Sequence, residues 1–140
     1  MAILNLTPDS FYANSRYSGV DSAIAAAEQF VEEGADMLDI GAESSRPDSS
    51  PIDDHEELER LTPVVEAVCK RVRVPVSIDT RKPVLARAML DLGATIINDI
   101  TGLSHYPELA EVVASYDASL VLMHMQGTPQ TMQDDIQYED

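Results

Sequence analysis

With one cysteine, Cys69, in 140 residues, the chain can form no internal disulfide. Basic residues are scarce as well: nine Lys and Arg stand against 25 Asp and Glu, a formal charge of -16. That balance argues against long-range attraction of DNA, RNA or an anionic membrane. No run approaches the roughly 18 apolar residues of a membrane helix. No basic-then-apolar start resembles a signal peptide. The expected location is therefore the cytoplasm, with neither nucleic acid nor membrane as partner. Also missing is a Gly-x-Gly-x-x-Gly after the first strand, the dinucleotide fingerprint. An anionic substrate would need local help from a few Arg or Lys side chains, from backbone N–H groups at helix starts, or from a divalent cation.

What is present is organised around Val74-Pro-Val-Ser-Ile-Asp-Thr-Arg81, an apolar run that ends in an acid, a hydroxyl and a base. Apolar and small residues without alternation predict a strand covered on both faces, as in a parallel sheet. The carboxyl end of such a strand is where barrel and open-sheet enzymes place their chemistry. Asp79 stands there, and its plainer reading is a cap on the helix that Pro83 opens.

In chain order, residues 3–6 read as a strand that leaves through a Pro-containing turn, and the chain begins within or just before that strand. Ala23, Ile24, Ala27, Phe30 and Val31 form a helical stripe that Gly34 stops. Residues 36–41 are a second strand, and the polar stretch 42–51 is a surface loop. Residues 56–72 are helical, with Pro63 either kinking the helix or marking its start after Thr62. Cys69 lies in the rhythm Val64, Val65, Val68, Val72 and reads as core, not as a nucleophile. After the strand at 74–79 come a helix at 83–92 closed by Gly93, a strand at 95–100, a helix at 107–116 and a strand at 119–125. Residues 126–140 are polar and loop-like.

Glu-Gly-Ala-Asp before the second strand and Leu-Gly-Ala-Thr before the fourth form an internal repeat, and Tyr116-Asp-Ala-Ser is a looser copy. Strand and helix in alternation predict right-handed parallel crossovers and an α/β fold. A doubly wound five-strand sheet would be complete here, whereas a (β/α)8 barrel would stop after its fifth strand. Polar residues follow every strand alike, which favours the barrel. In a barrel the strand ends converge: Asn5; Glu43 with Ser45 and Arg46; Asp79 with Arg81; Asn98 and Asp99; His124 with Gln126. Taken singly, Asn98 or Asp99 reads as a turn former, His124 as a core histidine and Arg46 as a solvated charge. Taken together they read as one site, suited to the edges of a fused heterocycle and to steadying a developing cation.

Asn5-x-Thr-Pro-Asp-Ser-Phe11, Asp39-Ile-Gly-x-Glu-Ser-x-Arg-Pro47, Ser77-Ile-Asp-Thr80, Ile97-Asn-Asp-Ile100 and Leu122-Met-His-Met-Gln-Gly127 together resemble the dihydropteroate synthase family in order and spacing. The resemblance spans the whole chain but only the first half to three fifths of the family's length. It implies a TIM (β/α)8 barrel represented by its first five strands and four helices, with residues 1–140 as the amino-terminal part of one pterin-binding domain. It also implies condensation of 6-hydroxymethyl-7,8-dihydropterin diphosphate with 4-aminobenzoate, yielding dihydropteroate and diphosphate in folate synthesis. By this resemblance Asp79 and Asn98 are catalytic and bind the pterin, with Met123 as an apolar wall, and Asn5 stands near Mg2+ and the diphosphate. Phe11, Ser45, Arg46 and Pro47 match the aminobenzoate loops, which would close as a lid. A transferase of the kind that sulfonamides target, homodimeric at full length, is the corresponding expectation.

The chain departs from the family pattern at Ser45, where Thr is usual, and at Tyr12-Ala-Asn-Ser15, which replaces Ser-Asp-Gly-Gly. The family's later Asp, Lys, Arg and His, which hold pterin and diphosphate, match nothing in these residues. Two other readings stand beside the synthase. One is a pterin-binding methyltransferase domain, against which Thr7-Pro-Asp-Ser-Phe11 speaks; the other is an inactive half-barrel that pairs through its open first and fifth strands.

Overall fold

The computed structural model describes residues 1–6, 16–43, 52–124 and 127, and the side chains of residues 16–18 lie outside that description. The elements alternate as expected: β1 (Ala2–Asn5), α1 (Arg16–Glu32), β2 (Leu38–Gly41), α2 (Asp54–Arg71), β3 (Val76–Asp79), α3 (Pro83–Asp91), β4 (Ile96–Asp99), α4 (Leu109–Ser115) and β5 (Ser119–Leu122). β1 keeps the expected four residues shifted by one, and the other strands are shorter than the apolar runs by two or three residues. Pro75, for example, contributes its carbonyl to Leu38 N but lies outside β3.

All five strands are parallel and hydrogen-bond in the order β1-β2-β3-β4-β5. A doubly wound sheet reverses its order at a switch point. Sequential order with right-handed crossovers instead keeps every helix on one face, as in a barrel wall. Side-chain alternation then separates two surfaces. Leu4, Leu38, Ile40, Val76, Ile78 and Ile97 face the helices and join Ala23, Ala27, Leu61, Val64, Val65, Val68, Leu85, Met89, Leu109 and Val113 in one core. The other face carries the polar residues.

The repeat before the strands is a repeated helix stop. Ala35 N bonds Phe30 O, Ala94 N bonds Met89 O and Ala118 N bonds Val113 O, the same six-residue closure three times. Gly34 and Gly93 take the positive φ that this closure needs, and at the looser copy Asp117 takes it, at φ 53°. Gly93 also lets α3 approach α2: a Cβ there would sit 3.4 Å from Cys69 Cβ. Cys69 is half-buried against the core, and burial pushes its thiol above the ordinary range.

Pro63 neither begins α2 nor breaks it. The helix starts nine residues earlier, where Asp53 accepts from Glu56 N at 2.8 Å, and it runs through Pro63 to Arg71. The pull of the buried stripe Leu61, Val64, Val65 and Val68 outweighs the missing N–H. No helix is long and apolar enough to cross a membrane, among the described residues.

Candidate functional site

Register assembles the site. Asn5 pairs with Gly41, Gly41 with Asp79, Asp79 with Asn98 and Asn98 with Val121, a single row across the polar face at the carboxyl ends of the strands. Two of the residues expected to touch a pterin, Asp79 and Asn98, are therefore neighbours, and Asn5 lies two strands from Asp79. The residue between them must be small. A Cβ on Gly41 would come within 3.2 Å of Asp79 Cβ and 3.5 Å of Oδ2.

Asp79 does not cap α3. Lys82 occupies the cap position without a side-chain bond, and Thr80 Oγ1 accepts from Lys82 N instead. Freed from capping, the Asp79 carboxyl turns to the polar face. Burial first, then the charges of Asp39, Glu57 and Glu43, outweigh Arg81 and push its pKa up to about 7.

One layer below that row, Asp39 is 4% exposed and Ser77 is 1% exposed. Ser77 Oγ donates to Asp39 Oδ1 at 2.6 Å, and Asn98 Nδ2 donates to Asp39 Oδ2 at 3.1 Å. The sequence reading passed over this buried carboxylate as part of a strand. Its signal was an acid set inside the apolar run Met37, Leu38, Ile40.

A second polar cluster supports the rim. Arg81 Nη2 bonds Glu43 Oε1 at 3.0 Å, so the arginine expected beside Asp79 is committed to the exit of β2. Lys82 Nζ reaches Glu57 Oε2 at 2.8 Å, Ile52 O at 2.9 Å and Asp54 Oδ1 at 3.1 Å. Burial alone would lower Lys82; the bonds to Glu57 and Asp54 reverse that and hold it above its ordinary value. Arg60 bonds both Glu56 and the Ala42 carbonyl.

Asp99 belongs to the turn, not to the row. Its Oδ1 accepts from Thr101 N at 2.8 Å and Thr101 Oγ1 at 2.7 Å, and its Oδ2 from Leu103 N at 2.7 Å. His124 is exposed, which removes the core reading of it. Met123 follows β5, 37% exposed, with its N–H on Asp99 O. Phe11, Ser45, Arg46 and Pro47 lie outside the described residues, as does the closing of their loops.

The pterin binding enzyme family matches residues 1–140. Dihydropteroate synthase of Escherichia coli (strain K12) is 43% identical over 140 residues, which is 100% of this chain and 49% of that protein. Two solved structures superpose closely. The Xanthomonas albilineans dihydropteroate synthase with 4-aminobenzoic acid gives a TM-score of 0.86 at 41% identity, covering 100% of this chain and 49% of that one. The Yersinia pestis dihydropteroate synthase with a sulfonamide drug gives 0.88 at 41%, covering 100% and 50%. The chain thus spans about half the length of the relatives it matches, and the matched half is amino-terminal. Row, fold and match agree: the chain belongs to the pterin-binding enzyme family.

Proposed function

We propose that these residues form the amino-terminal half of a dihydropteroate synthase barrel, one pterin-binding domain with its later strands. The reaction joins 6-hydroxymethyl-7,8-dihydropterin diphosphate to 4-aminobenzoate. The observation that carries the proposal is the row Asn5, Gly41, Asp79, Asn98, which places an exposed amide and a half-buried carboxyl at one rim. In the reaction the bond between the pterin methylene carbon and oxygen breaks, and diphosphate leaves with the electron pair. The aminobenzoate nitrogen then bonds the methylene and loses a proton.

Asp79 is suited to the cation formed on the pterin. An ionised carboxylate in a desolvated site is costly when the site is empty, so it gains most when positive charge develops beside it. Asn98 and Met123 complete the pterin contacts in this reading. Phe11, Ser45, Arg46 and Pro47 take the aminobenzoate in this reading, and the likeness to a synthase solved with 4-aminobenzoic acid supports that compound as the second substrate. Sulfonamide sensitivity goes with the same subsite.

The diphosphate needs positive charge, and Arg81 and Lys82 are already engaged by carboxylates. Among the described residues no three His, Cys, Asp or Glu gather as a metal site. Asn5 fits a Mg2+ bound mainly by phosphate oxygens and water, to which it would add one amide oxygen. Mg2+ would neutralise the leaving diphosphate. A cytoplasmic location and a homodimer at full length complete the proposal.

Binding of the pterin diphosphate followed by addition of 4-aminobenzoate tests this reading. Diphosphate released only when both are present supports the synthase, whereas methyl transfer from a bound folate would favour the related methyltransferase. A second reading, self-association of a half-barrel, is favoured by exposed Ile3 at 58%, Val121 at 46% and Leu122 at 48%. A doubled mass in sedimentation supports that association, and a dilute monomer removes it.

A further inference from the structure

Asp39 is a buried carboxylate for which the proposed reaction has no step. Both of its oxygens accept: Oδ1 from Ser77 Oγ and Oδ2 from Asn98 Nδ2. A carboxylate offers acceptors alone, so the Asn98 amide must face it with nitrogen, and its own carbonyl oxygen turns away. Among the described residues no donor bonds to Asn98 Oδ1, and no buried polar atom of a side chain is left without a partner. Among the described residues, that oxygen is left free to accept from a ligand.

We propose that Asp39 is a positioning residue for substrate recognition: it locks the Asn98 amide so that the site presents a hydrogen-bond acceptor beside Asp79. The proposal rests on the pterin-binding reading and deepens it. With Asn98 fixed in this sense, its neighbour in register, Asp79, supplies a second acceptor one strand away. The pair selects a heterocycle edge rich in N–H donors and disfavours one that brings acceptors. A reversed amide would set donor against donor and lose about one hydrogen bond.

Ser77 adds to the lock. It lies in register with Asp39 on the adjacent strand and holds the carboxylate at 2.6 Å, which fixes the plane that Asn98 meets. Burial raises Asp79 most, and the charge of Asp39 adds to it, together with Glu57 and Glu43 and against Arg81. One buried acid thus acts on both neighbours in the row.

The test exchanges the two groups in the 140-residue chain. Asp39→Asn alone lets the Asn98 amide face either way, and pterin diphosphate affinity falls about tenfold, the order of one hydrogen bond. In Asp39→Asn with Asn98→Asp, a carboxylate at 98 presents oxygen whichever way it turns, and the amide at 39 can donate to it. Affinity returns to within about threefold of the parent. Failure of the double variant to recover binding, or an unchanged affinity in Asp39→Asn, overturns the proposal.

A ligand-free measurement separates this claim from the functional one. The Asn98 side-chain amide protons are protected from solvent exchange in the parent chain and lose that protection in Asp39→Ala, read by nuclear magnetic resonance on folded protein. If the parent binds no pterin, the functional reading fails while the amide exchange still decides the positioning. Equal exchange in parent and Asp39→Ala refutes the lock.

Discussion

Lys82 Nζ lies 2.8 Å from Glu57 Oε2, and Glu57 is 1% exposed although it stands in the first turn of a surface helix. The pair ties α2 to the segment between β3 and α3. Removing one partner leaves a buried charge alone, which costs about 3–5 kcal/mol. Lys82→Met is expected to lose that much in urea unfolding, and Lys82→Met with Glu57→Leu to regain most of it. Equal stability of Lys82→Met and parent would show that the pair carries no structural role.

Gly41 tests the row independently of charge. In Gly41→Ala the new methyl meets Asp79 Cβ at 3.2 Å, so Asp79 shifts by a few tenths of an ångström. Stability falls by about 1–3 kcal/mol, as for other overpacked sites. Pterin affinity is expected to fall at least about tenfold, because the displaced carboxylate loses its alignment with Asn98. Titration at matched folded fractions checks this, and undiminished affinity would take Asp79 out of the contact.

The raised Asp79 makes stability depend on pH with a definite sign. Its ordinary value is 3.8 and its folded value about 7, so between those limits the folded chain holds a proton that the unfolded chain releases. The stability from this group is complete below pH 3.8 and disappears as pH rises through 7. Asp79→Asn mimics the protonated form at every pH. Its Tm should exceed the parent's at pH 8, and the difference should shrink toward pH 5. A constant difference across that range would contradict the raised value.

Much of this molecule is legible in its sequence. Apolar runs ending in polar residues located all five strands, and Gly-Ala before a strand marked two helix stops that the backbone then repeats at Asp117. The even spread of polar residues over five strand ends matches the sequential strand order. The motifs assign Asp79 and Asn98 to one site, and the register of β3 and β4 makes them neighbours. Two kinds of residue stayed hidden. Glu57 falls on the buried stripe of α2, four residues before Leu61, but an acid near a helix start reads as a favourable dipole contact. Lys82 meets partners 25 to 39 residues away, and no local pattern encodes such distances. Asp99 and His124 were counted at the rim, and the structure gives the first to a turn and leaves the second exposed.

Pro63 offers a stability prediction of the opposite direction. It lies inside the unbroken α2 at an exposed position, where it withholds one backbone donor. Pro63→Ala restores that donor and removes a restraint on the unfolded chain, which offsets about 0.4–1 kcal/mol of the gain. The net expectation is about 2–2.5 kcal/mol of stabilisation, since an interior proline costs about 3. Loss of stability in Pro63→Ala would mean that the proline ring packs against a neighbour.

In the proposed function, the row around Asp79 already forms a pterin site in these residues. Calorimetric titration of the 140-residue chain with 6-hydroxymethyl-7,8-dihydropterin diphosphate and Mg2+, repeated with Asp79→Asn, tests it most directly. Saturable binding by the parent at pH 8 and its loss in the variant are the expected outcome. Absence of heat from a parent chain shown by circular dichroism to be folded, or equal binding by both proteins, would contradict it.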